Sequence, residues 1–322
     1  MPLAGYVVAY IGIGIFVIAV IARIVMWSSL PMHLRWELYP VPHERGDRAS
    51  YGGSYLEEVD WWKKPRRVSL WGELRVMVPE ILFLAALREH NPKLWIRSFP
   101  FHFGLYLVIA CTALMMVAGL LGALWPSILA GGLGAAVRYG TAAIGWAGLV
   151  LGLAGALGLL QRRLGAEELR DFTTPADIFN LLFFVVAFGC ALLTAIAVDR
   201  DFARVSAIVH GLVTLGMPAS SGAGVEALLP TISVILLGAL VAYIPLTHMS
   251  HFIGKYFAYH AIRWNDRPNL RGGAEEPVIA RQLARKVSWA ASHIKGDGQK
   301  SWADVATESQ SPPAAADGEA NK

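Results

Sequence analysis

A chain of 322 residues that is 55% hydrophobic and only 16% charged has too little polar surface for a soluble domain of its length, and reads as a membrane protein. Its formal net charge of +4 follows from basic loops and gives no support to a nucleic-acid partner. The two cysteines form neither Cys-x-x-Cys nor Cys-x-x-Cys-His, which excludes an iron–sulfur cluster held by this chain alone and a covalently attached c-type haem.

Five apolar windows, approximately 3–26, 99–124, 140–161, 178–198 and 228–250, each provide the roughly 20 residues that a spanning helix needs. In lipid every backbone N–H and C=O must be satisfied within its own segment, so these windows predict helices. The fold class is therefore an all-α membrane protein: a five-transmembrane-helix bundle with a long cytoplasmic loop and a partly disordered C-terminal tail.

The first segment, within 1–28, is a retained helix and not a secretory signal. Nothing basic precedes Arg23, the apolar run exceeds a signal core, and no small-residue cleavage site follows. Arg23 reads as a side chain snorkelling from near a helix end. In the loop 29–98, Val76–Leu87 offers only about 12 apolar residues, too few to span. It is interrupted by Pro79 and Glu80 and flanked by Arg75 and Arg88, so an interfacial helix is expected.

Residues 99–254 form the expected membrane core. Before its fourth span, Thr174 is placed to cap, Pro175 to open the helix and Asp177 to meet the free N–H groups. A short amphipathic helix around Phe202–His210 is expected between the last two spans. Pro245 predicts a kink just before His248 and His251. Residues 255–304 carry mixed charge with Trp264, Trp289 and Trp302, suiting a partner-docking segment, and the Ala/Pro/Ser/Glu-rich 305–322 predicts disorder.

Basic residues set the orientation. Residues 29–98 hold 11 Lys and Arg, 162–176 hold 3 and 251–322 hold 10, against 1 in 125–139 and 2 in 199–227. The positive-inside rule then puts the N-terminus in the periplasm and the C-terminus in the cytoplasm. His102, in Ser98–Gly104, and His251, in Pro245–His251, fall on the same cytoplasmic face, where two imidazoles can clamp one haem iron. Phe99, Phe101, Phe103 and Tyr106 are placed to line a macrocycle. His248, one turn before His251, is the alternative ligand from that helix. His33, His43, His90, His260 and His293 read as exposed or hydrogen-bonding residues. His210 could handle protons at an outer quinone pocket only on the ground that histidine titrates near neutrality. Cys111 and Cys190, inside apolar helices, read as inert thiols.

Gln161-Arg162-Arg163-Leu164 followed by Asp171-Phe172-Thr173-Thr174-Pro175-Ala176-Asp177-Ile178 resembles the connection between the third and fourth helices of the respiratory nitrate reductase gamma subunit, a five-helix quinol-linked cytochrome b. The histidine in Phe101-His102-Phe103-Gly104 and His251, six residues after Pro245, match that family's first and last haem ligands. The resemblance covers roughly residues 95–260. The family's further ligands fall where this chain has Thr112 and Ser233, so the resemblance implies one haem b and no outer haem.

Met32-His33-Leu34-Arg35-Trp36-Glu37-Leu38-Tyr39-Pro40-Val41-Pro42-His43-Glu44, with Arg88-Glu89-His90-Asn91-Pro92-Lys93-Leu94-Trp95, resembles the cytochrome b subunits of sulfate-reducer transmembrane redox and sulfite-reduction-associated complexes. That likeness implies a membrane cytochrome b subunit passing electrons between a (mena)quinone or quinol and a cytoplasmic, heterodisulfide-reductase-like iron–sulfur subunit, with further membrane or periplasmic cytochrome subunits as possible partners. It names no catalytic residue and no quinone pocket. The contrasting class is a haem-free membrane anchor or transporter subunit, although no internal repeat of the kind transporters carry is visible.

Overall fold

A computed structural model describes residues 3–30, 40–44, 47–65, 68–216, 224–291, 294 and 296–308. His33, His293 and the stretch 309–322 lie outside the described residues, as does most of the Met32–Glu44 motif. Among the described residues the secondary structure is helical, with only isolated β-bridges besides.

Five helices are long and apolar enough to cross a membrane. They are α1 (Leu3–Ser28), α4 (Pro92–Leu124), α5 (Gly132–Gly165), α6 (Pro175–Ala197) and α8 (Val225–Tyr243). The expected interfacial stretch forms α2 (Leu70–Phe83) and α3 (Ala85–His90). At 14 residues, α2 is too short to span. It stops where Leu84 takes a left-handed conformation at φ 52°. Glu80, which breaks the apolar run in the sequence, accepts the Ala86 N–H at 2.7 Å and so starts α3. Between α6 and α8 lies the short α7 (Ala203–Thr214).

The expected caps are present. Thr174 and Asp177 form a reciprocal capping box with Pro175 in the first turn, satisfying backbone donors that a helix start leaves free. Asn91 caps α4 through its side chain, 3.0 Å from the Leu94 N–H. The helix thus begins seven residues before the apolar window and carries Lys93 and Arg97 in its first turns.

Chain contacts divide the protein into two units. The first comprises residues up to 23 together with 69–251. Its core is Phe101, Leu149, Ala156, Phe184, Ala187, Phe188, Ala191, Ala195, Phe202 and Leu240. A glycine seam draws α4 and α5 together: a Cβ on Gly104 would collide with the backbone of Gly152 and Gly148, and one on Gly155 with the backbone of Phe101. Small residues permit such close approach in lipid, where dispersion contacts replace the hydrophobic drive.

The second unit comprises 24–68 and 252–322. It includes α9 (His251–Phe257) from its second residue, followed by a π-helical turn, Ala258–Arg263. His43 Nε2 lies 2.8 Å from Asp266 Oδ2, both side chains being buried. The Trp264 ring beside them is buried too. Glu44, also buried, accepts the Ser54 hydroxyl at 2.8 Å. A helix, α10 (Glu276–Leu283), and a final one, α11 (Trp302–Thr307), follow; α11 has its own capping box from Ser301 and Asp304. It extends into the stretch whose composition predicts disorder.

Candidate functional site

His102 sits in the third turn of α4, two residues after Pro100. Its Nδ1 is 2.8 Å from the Ser98 carbonyl oxygen. A carbonyl only accepts, so Nδ1 carries the proton and the lone pair lies on Nε2, the form in which a neutral imidazole binds a metal. The Ser98 hydroxyl is a further 3.3 Å neighbour of Nδ1. Phe101 holds the ring edge-on at 5.2 Å and is itself wedged against Phe184.

His251 arrives by a different route. The expected kink at Pro245 is a complete break: α8 ends at Tyr243, single turns of 3-10 helix cover Ile244–Leu246 and His248–Ser250, and His251 opens α9. Thr247, extended at φ −113° and ψ −177°, separates the turns. His251 Nδ1 faces the His248 carbonyl at 3.4 Å, which again leaves Nε2 with the lone pair.

The two rings meet, with centroids 6.2 Å apart and planes at 65°. An imidazole nitrogen binds a transition metal at about 2 Å and its ring centre lies about 1.1 Å behind, so two rings on opposite sides of one metal have centres about 6 Å apart. The donor set fits one six-coordinate haem iron in both separation and tautomer. His248 has no ring contact with His102 among the described residues and lies within electrostatic reach of Asp177 instead. Of the aromatic side chains expected as lining, Phe101 touches the His102 ring. Phe99 and Phe103 stack in a ladder with Trp95, at 4.8 and 5.4 Å. Tyr106 donates to the Ile81 carbonyl at 2.9 Å, and Trp95 Nε1 to that of Phe83 at 2.8 Å, which ties α2 to α4.

Toward the other end of the bundle the polar groups are closed on one another. Thr112 donates to the Val108 carbonyl of its own helix at 2.9 Å. Ser233, 2% exposed, lies 2.8 Å from the Thr194 hydroxyl. That hydroxyl donates to the Cys190 carbonyl at 2.9 Å, so Ser233 is the donor of the pair. His210, on α7, directs Nδ1 to the Gly119 carbonyl at 3.1 Å. Asp199, buried beside the start of α7, accepts the Arg204 and Val205 N–H groups at 2.9 and 3.0 Å. Burial nevertheless pushes its carboxyl above the ordinary aspartate range.

Sequence reasoning missed one participant. The Arg23 guanidinium reaches the carbonyl oxygens of Pro245 and Leu246, from Nε at 3.3 Å and Nη2 at 3.4 Å. The only available signal was an arginine in an otherwise uncharged apolar helix.

Five membrane-length helices define a multi-pass helical membrane protein, in which two imidazoles from different spans meet. The model of the nitrate reductase gamma subunit family matches residues 87–265. The chain belongs to that family, whose members are haem b-binding, electron-carrying membrane subunits of multi-subunit complexes. A search of curated proteins and a search of solved structures each found no match.

Proposed function

We propose that this protein is the quinone-linked cytochrome b subunit of a respiratory complex in the cytoplasmic membrane. It holds one haem b between His102 and His251 and connects a membrane (mena)quinone or quinol with a cytoplasmic, heterodisulfide-reductase-like iron–sulfur subunit. The observation that carries the haem assignment is the 6.2 Å separation of two rings whose Nδ1 atoms both face backbone carbonyls. The bound haem supplies one-electron redox chemistry; the chain's own residues ligate it, orient it and set the polarity around it. Ser98 and His248 fix the imidazole tautomers, and Phe101 fixes one ring plane.

A single haem is supported by the bonded state of Thr112 and Ser233. The orientation rests on the distribution of basic residues, which puts the loop 29–98 and the tail on the cytoplasmic side with the histidine pair. The iron–sulfur partner rests on the loop motif quoted above. The test is a pyridine haemochrome assay on the purified chain, with one haem b expected per polypeptide. Two haems would overturn the single-haem assignment, and none in folded protein would overturn the function.

A further inference from the structure

In an unbroken helix the Pro245 carbonyl would accept from the N–H of residue 249, and the Leu246 carbonyl from that of residue 250. Here the Met249 N–H is taken by the Thr247 hydroxyl at 3.2 Å. The Ser250 N–H is taken by the Thr247 carbonyl, also at 3.2 Å. Thr247 thus removes both helical donors from two adjacent carbonyls at the end of a spanning segment, of which that of the buried Pro245 most needs a replacement.

Arg23 supplies the replacement. It is the only charged residue in Leu3–Ser28, and a charge in an apolar helix is itself costly unless it pairs. Its planar guanidinium offers several N–H groups in a fixed fork, so one side chain can serve both carbonyls where a lysine presents a point charge. The guanidinium reaches the break itself, five and six residues before His251.

We propose that Arg23 is a positioning residue for the histidine pair: it clamps the Pro245–Leu246 break of the fifth span and thereby fixes His251 opposite His102. The proposal rests on the haem reading above. It is tested with the wild-type chain, Arg23→Leu and Arg23→Lys, by measuring haem retention and the low-spin electron paramagnetic resonance signal, whose g values follow the relative orientation of the two imidazole planes. Arg23→Leu is expected to hold haem about tenfold more weakly, as loss of charge-assisted hydrogen bonds implies, and to give a broadened or split signal. Arg23→Lys is expected to lie between that variant and wild type.

Wild-type haem affinity and a single unshifted signal in Arg23→Leu would overturn the proposal while leaving the haem reading intact. Arg23→Lys at wild-type values beside an altered Arg23→Leu would assign the effect to charge alone and also overturn it. If Arg23→Leu does not accumulate in membranes, Arg23→Lys decides: weaker haem retention with a signal shifted or broadened from wild type supports the clamp, and wild-type values refute it. A wild-type chain without haem would remove both readings together.

Discussion

The two ends of the first unit solve the same problem, polar side chains inside a membrane bundle, in opposite ways. At the histidine end each imidazole directs Nδ1 to a carbonyl of its own chain segment and turns toward its partner ring. Toward the opposite end, Thr112 bonds back to its own helix and Ser233 is used up by Thr194. One end brings two imidazoles together from different spans, and the other closes its hydroxyls on nearby helix groups. Polarity alone does not mark a cofactor site in a membrane; two ligand-type side chains brought together from distant spans do.

The contrast breaks most sharply at the ligands. His102→Ala and His251→Ala are each expected to abolish the low-spin haem spectrum, whereas His248→Ala keeps it; the reverse ranking in visible spectra would move the fifth-span ligand to His248. Next in size is Gly155→Leu, which forces a side chain into the Phe101 backbone. Overpacking of this kind costs about 1–3 kcal/mol, read as a lower unfolding midpoint in detergent together with weaker haem retention, since Phe101 supports the His102 ring.

Ser233→Ala probes the opposite end. It is expected to leave the haem content unchanged and to cost about 0.6 kcal/mol, the mean for a hydrogen bond between membrane helices. A loss of haem in that variant would show that the two ends are not separate.

The smallest expected effect is one of pH. Burial raises the Asp199 carboxyl in the folded protein. Its contribution to stability is therefore fully present below the unfolded aspartate value and is lost as pH rises through the raised folded value. The difference in unfolding midpoint between wild type and Asp199→Asn should therefore move in favour of wild type as pH falls from neutrality toward that window; a difference independent of pH would remove Asp199 as its source.

Much of this was legible in the sequence. The five spans follow from apolar length, and the Thr174–Asp177 cap from local chemistry that a window of four residues contains. The ends were less legible. Lys93 and Arg97 hid the start of α4 because helices continue through the polar interface where hydropathy stops. Pro245 announced a disturbance, but the full break depends on Thr247 redirecting two N–H groups, which a proline count does not show. The partners of Arg23 (Pro245 and Leu246) and of His43 (Asp266) carried no local signal, because each side chain gains its meaning from a distant part of the chain.

These distant partners put a clock on the assembly of the protein. Arg23 and Pro245 are 222 residues apart, and His43 and Asp266 are 223. At a synthesis rate of 5–20 residues per second, a gap of that length corresponds to roughly 11 to 45 s. For that interval the first span holds an unclamped arginine and the His43 loop lacks the aspartate it is buried against. Both closures wait for the last span, so a chain interrupted before residue 245 would present these defects together, as a recognisable mark of incompleteness to whatever surveys new membrane proteins.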